Sequence, residues 1–210
     1  MGKIGLGCLA LVVVLVLIVG ISMAGTYNSL VTLGQETDKQ WSQVENQYQR
    51  RADLVPNLVA TVQGAAQFEK STLEAVTNAR ASVGRATVTQ GKAPTDPQAL
   101  AQFEAAQNQL GAALQRLLVV AEKYPELKAN QNFRDLQAQL EGTENRIAVS
   151  RNRYIKSVQD YNVGIRTFPN NLTAMMFGYK EKPNFAVANE KEISTAPKVD
   201  FNPTPAAPSK

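Results

Sequence analysis

Apolar residues follow two patterns along this chain. Near the start, residues 4–24 (IGLGCLALVVVLVLIVGISMA) form an unbroken run of 21 residues without a charge. As a helix rising ~1.5 Å per residue, the run spans about 31 Å, the hydrocarbon thickness of a bilayer. Beyond it, apolar positions recur at alternating spacings of three and four, the core-facing stripe of an amphipathic helix. One stripe runs from Tyr27 through Leu30 and Trp41 to Tyr48, and a second from Leu58 through Val62, Ala65 and Val76 to Val83. A third runs from Leu100 through Leu110 and Leu117 to Tyr124, and a fourth from Phe133 through Ile147 and Tyr161 to Phe168. No window alternates with period two, so the pattern predicts an all-α chain.

Punctuation between the stripes sets the expected element ends. Asp53 is suited to cap a second helix with Pro56 in its first turn, where a missing N–H costs little. Residues 84–95 (GRATVTQGKAPT) carry two glycines and a proline and read as a loop. Asp96-Pro97 is an N-cap followed by proline at N1, a start signal. Tyr124-Pro125 and Phe168-Pro169 end the third and fourth helices, because a residue before proline avoids the α region. Short connections make neighbouring helices antiparallel. The expected organisation is therefore a transmembrane anchor at 1–25, an antiparallel four-helix up-down bundle at 26–183, and a disordered tail at 184–210. Pro197, Pro203, Pro205 and Pro208 stand in that tail among few apolar residues.

Two readings of the leading run are open, a retained anchor and a signal peptide cut after Ser22-Met23-Ala24; its length favours the anchor. With an up-down-up-down order, the fourth helix ends back at the membrane. There Tyr161, Phe168, Leu172, Met175, Met176, Phe177 and Tyr179 precede Lys180 and Lys182. Aromatic residues with flanking lysines suit headgroup depth, so Met175, Met176, Phe177, Lys180 and Lys182 are candidate lipid contacts; the alternative is that this segment closes the open end of the bundle. Asn28 and Asn162, each after a tyrosine, are expected to pair there and fix helix register.

Composition removes chemistry more than it adds any. The chain contains no histidine, which excludes His-based triads, His metal ligands and His pH switches. Its single cysteine, Cys8, lies in the apolar run, so disulfide frameworks and cysteine-rich metal sites are excluded. Glu141 and Glu144 share a helix face, but acid–base work needs a cleft that their spacing does not supply. No glycine-rich phosphate loop is present. No catalytic residue, metal or cofactor is expected. Arg146, Arg151, Arg153 and Lys156 make the fourth helix basic. They are candidate contacts for anionic lipid or polymer, although a solvated face is the simpler reading and their charge density is too low for a nucleic-acid surface.

Several blocks resemble the LemA family of bacterial membrane proteins: Tyr27-Asn28-Ser29-Leu30-Val31, Trp41-Ser42, the run from Arg50 to Leu58 (RRADLVPNL), Thr72-Leu73 with Ala79-Arg80, Tyr161-Asn162, Phe168-Pro169-Asn170-Asn171-Leu172, and Phe177-Gly178-Tyr179 with Phe185. The resemblance covers roughly residues 1–186. It implies a single N-terminal span, an all-helical bundle and a bacterial source, and it transfers no catalytic or cofactor residues. The side of the membrane is open: Lys3 ahead of the span favours an inside N-terminus, whereas the resemblance implies the opposite. Arg50, Arg51 and Asp53 are expected at the turn between the first two helices, as a hairpin-stabilising cluster or a partner-docking knob. The expectation is a non-enzymatic, single-pass protein of the bacterial cell membrane, acting as a scaffold or self-assembling component with a second copy or other membrane proteins. The alternative is a lipid- or polymer-binding module built on the basic helix and the methionine-aromatic segment.

Overall fold

The computed structural model describes residues 2–64, 69–86 and 89–185. Among the described residues the chain is helical without strands: α1 (Gly2–Gln63), α2 (Lys70–Arg85), α3 (Pro97–Ala121), α4 (Pro125–Ala129), α5 (Gln131–Arg166) and α6 (Asn170–Met176). Residues 186–210, most of the expected tail, lie outside the described residues, as do 65–68 and 87–88.

The largest departure from the sequence expectation is the length of α1. It is one helix of 62 residues, about 93 Å long at ~1.5 Å per residue. No turn stands at residues 50–53, and Asp53 caps nothing; its carboxylate accepts from Gln49 one turn back. Pro56 lies inside the helix. A proline there has no N–H for the carbonyl four residues earlier, which normally kinks or breaks a helix. That carbonyl belongs to Ala52, and it accepts instead from Arg80 Nε of α2 at 3.0 Å. The expected second helix is thus divided between the end of α1 and α2.

Other boundaries follow local chemistry. Asp96 caps α3 by accepting from Gln98 N, with Pro97 in the first turn. Asn130 caps α5 by accepting from Asn132 N and Phe133 N. The loop before α3 turns at Gly91, whose φ of +74° suits glycine. It is fastened to α1, where Gly91 N donates to Glu45 and Ala93 N donates to Asp38.

Contacts along the helices give their directions. On α1 and α5, Thr37 meets Ser157, Trp41 meets Tyr154 and Arg51 meets Glu144. Numbers rise on one helix as they fall on the other, so the two are antiparallel. Against α3, Trp41 meets Phe103 and Arg51 meets Gln107, a parallel sense. Close approach at the α1–α5 base uses Gly164, where an added Cβ would lie 2.8 Å from Leu33 Cδ1.

The core has three layers. The distal layer gathers Leu58, Val62, Leu110 and Leu117. The middle layer is aromatic, with Trp41, Tyr48, Phe103, Tyr154 and Phe185. The basal layer holds Leu30, Tyr161, Ile165 and Ala174. Phe185, assigned to the tail from sequence, is buried against Trp41 and Tyr154, so the ordered body extends past residue 183. The segment after α6 is strapped to α5: Tyr154 and Tyr161 hydroxyls donate to the Pro183 and Lys180 carbonyls, and Asn162 exchanges two hydrogen bonds with Lys182. Asn28 is exposed, so the expected Asn28–Asn162 pair does not form; Asn162 fixes the strap instead.

Helix α6 ends in a Schellman arrangement. Tyr179 N donates to Ala174 O, Gly178 N donates to Met175 O, and Gly178 has φ +72°. Alanine there must adopt a left-handed conformation, so Gly178→Ala is expected to cost about 1 kcal/mol. A thermal melt of the variant in detergent, unchanged from the parent, would contradict this.

Candidate functional site

The residues singled out from sequence fall in three separate places. The first is the middle of α1. Arg50 and Asp53 point to solvent, but Arg51 is buried. Its Nη2 donates to both the backbone oxygen and Oε1 of Gln107 at 2.7 Å, and its Nη1 donates to Glu144 at 2.9 Å. The guanidinium carbon lies 5.0 Å from the centre of the Tyr48 ring. This is an internal clamp joining α1, α3 and α5; it takes Arg51 out of any docking surface, while Arg50 and Asp53 stay exposed beside it. The signal was present in the sequence: Arg51 falls on the apolar stripe, three residues after Tyr48.

The second place is the basic stretch of α5, from which Arg151 turns inward. Arg151 pairs with Glu104 at 3.2 Å and covers the Phe185 ring at 4.4 Å. Lys156 pairs with Asp160 one turn on, at 2.8 Å. Arg146 and Arg153 are exposed, and Arg153 borders a shallow groove with Glu36 and Asp160. Arg151 and Lys156 thus have carboxylate partners, whereas Arg146 and Arg153, seven residues apart, lie on one exposed face of α5.

The third place is the base of the body. Met175, Met176, Phe177 and Lys180 are exposed. Lys182 is not available to lipid: its Nζ lies 2.7 Å from Asp38 in a largely buried ion pair and 5.3 Å from the Tyr161 ring centre.

Titration behaviour follows burial. Glu45, beside an open cavity of about 540 Å³ that Tyr48 and Phe103 also line, is pushed above the ordinary carboxylate range by desolvation, partly opposed by the Gly91 N–H. Desolvation raises Tyr154 well above 10, with a further push from the Asp38 charge, and raises Tyr48 and Tyr161 in the same direction. The unfolded chain ionises these phenols near pH 10 while the folded chain holds their protons. Stability is therefore unaffected by them below pH 10 and falls as pH rises beyond it. Melting temperature is expected to drop between pH 9 and pH 11, with a shallower drop in Tyr154→Phe. Equal slopes for the two proteins would remove Tyr154 from this account.

Among the described residues, α1 is the one helix long and apolar enough to cross a membrane, and its apolar window is unburied. With the all-helical body continuing from it, this defines a membrane-associated helical protein. The LemA family model matches residues 40–201, and the chain belongs to the LemA family. It is also 29% identical over 178 residues to the magnetosome proteins MamQ 1 and MamQ 2 of Paramagnetospirillum magneticum, covering 76% of this chain and 64% of each relative. Magnetosome protein MamQ of Magnetospirillum gryphiswaldense is 27% identical over 190 residues, covering 81% of this chain and 67% of the relative. The match thus spans less than two thirds of the length of the P. magneticum proteins.

Proposed function

We propose that this protein is a single-pass scaffold of the bacterial cell membrane, acting through contacts with other copies or other membrane proteins and without chemistry of its own. In this reading α1, α2, α3 and α5 form an up-down-up-down bundle standing on the bilayer. The observation that carries it is the continuity of α1, which passes from an exposed apolar segment into the core without a break. A body joined this way is held rigidly to its anchor, as a strut is and a loosely tethered enzyme need not be. Family membership and the likeness to magnetosome MamQ proteins support a membrane-associated helical component. The rival reading, anion binding by the basic helix, is weakened by the pairing of Arg151 and Lys156.

Exposed apolar side chains on the body, Val119 on α3 and Val149 on α5, are suitable places for a photo-crosslinking residue. In intact cells the scaffold reading expects discrete crosslinked species from at least one position. A full-length protein that stays monomeric in cells and in mild detergent, with no adduct from either position, would overturn it.

A further inference from the structure

We propose that the outward face of α6 and its flanks is a second membrane contact, seated in the headgroup layer of the leaflet that α1 leaves. This rests on the reading that residues 4–24 stay in the bilayer, and it adds a contact that the anchor alone does not require.

The sequence from Phe168 to Phe177 carries no charge. Its inner side chains, Thr173 and Ala174, are buried. Phe168, Leu172, Met175, Met176 and Phe177 project outward, each between 53% and 79% exposed. Five large apolar side chains within ten residues are a concentrated patch for a surface that faces water.

Position identifies what covers the patch. The Phe177 ring centre lies 4.8 Å from that of Tyr27, and Phe177 borders a groove with Gly20, Met23 and Ala24 of α1. The patch is therefore continuous with the exposed apolar surface of α1, where Leu15, Leu17 and Ile21 lie on the same helix. Tyr27 stands three residues past Ala24, about 5 Å further along the axis. The headgroup zone on each side of the hydrocarbon is of similar depth, roughly 5–8 Å. Phe177 and the adjoining face of α6 are thus at the level where aromatic and flexible apolar side chains partition into the interface.

The rim suits the same neighbour. Lys180 is exposed just beyond the patch, placed to reach lipid phosphates. Arg166 and Glu181 close the base with two hydrogen bonds of 2.6 Å. The patch is held stiffly, by the Schellman turn at Gly178 and by the Asn162–Lys182 and Asp38–Lys182 bonds. Closure of the bundle end and contact with lipid are therefore carried out by opposite sides of one segment.

The test uses the full chain with Cys8→Ala and a single nitroxide-labelled cysteine, reconstituted in vesicles of phosphatidylcholine and phosphatidylglycerol at 3:1. Labels are placed through Val14→Cys in the span, Met176→Cys in the patch and Val119→Cys on the body. Leu172→Cys provides a second patch position should Met176→Cys fail to fold. Power saturation compares collisions with oxygen, which concentrates in lipid, and with a water-soluble nickel chelate. The expected result is an oxygen-to-nickel ratio severalfold higher at 14 and at 176 or 172 than at 119. Patch labels matching Val119→Cys while Val14→Cys remains in lipid would overturn this inference alone. A patch shielded from both reagents, with spin–spin broadening from a second copy, would also overturn it. Water-exposed Val14→Cys would remove the anchor reading itself.

Discussion

Replacing Trp41 with alanine lowers the stability of the body by about 3–5 kcal/mol, the range for deleting a large aromatic side chain from a packed core. Trp41 is fully buried. Its ring centre lies 5.2 Å from Tyr154, 5.3 Å from Phe103 and 6.0 Å from Phe185, so truncation opens a cavity shared by α1, α3, α5 and the strap. These neighbours hang on different elements and cannot collapse together into the space. In a domain of this size each kcal/mol corresponds to about 2–4 °C, and the melting temperature in detergent is expected to fall by roughly 6–20 °C. Because Phe185 loses one of its two aromatic partners, the strap is also expected to be cut by protease before the rest of the body. A drop of only a degree or two, with the strap still protected, would mean that the middle layer is not the structural centre.

The second large effect is at Arg51. Arg51→Ala is expected to cost about 3 kcal/mol, the lower end of the range for breaking a buried ion pair, because Glu144 is half exposed and rehydrates. Part of the cost is the orphaning of the buried Gln107 Oε1, at about 1–3 kcal/mol for a buried group left unpaired, while the Gln107 carbonyl keeps its bond within α3. Arg51→Met keeps much of the stem and should be less damaging. Glu144→Gln keeps an acceptor for the buried Arg51 guanidinium and should cost less than Arg51→Ala. Arg50→Ala, one residue away and in solvent, should change stability by no more than about 0.5 kcal/mol. Denaturation curves that gave Arg50→Ala and Arg51→Ala equal midpoints would refute the clamp.

These two residues show what the sequence made legible and where it misled. Trp41 lies on a clean three-four stripe, and its burial follows from that spacing alone. The same stripe continues through Val44, Tyr48, Arg51, Val55, Leu58 and Val62 without changing phase, and all of these are buried. A helix running through residue 51 is written in that phase, but Asp53 and Pro56 are also a good start signal and led to a turn. At the proline, Arg80, nearly 30 positions away, supplies the missing donor to Ala52, and no local pattern encodes such a partner. The caps at Asp96 and Asn130 are satisfied within three residues, which is why the start of α3 was readable from Asp96-Pro97. The strap was missed for the opposite reason: Phe185 stands alone in a polar, proline-flanked segment, and its place depends on aromatic partners brought together from α1 and α5. At the candidate site, the methionine-aromatic segment was legible as an apolar element at the end of the bundle, but its outward face was not, because the same composition suits closure of the bundle end. The withdrawal of Lys182 into a pair with Asp38 depended on tertiary approach.

On the proposed reading that residues 4–24 stay in the bilayer, an unbroken α1 leaves no joint between them and the body, so the two would lean together. From Ala24 to Gln63 is about 58 Å of helix. A lean of ~20°, common for membrane helices, carries the far end sideways by about 20 Å. Since lean responds to the thickness of the surrounding lipid, a thin bilayer and a thick one would set the far end at different points above the membrane plane. So anchored, the molecule would act as a gauge, converting a few ångströms of local thickness into a displacement several times larger.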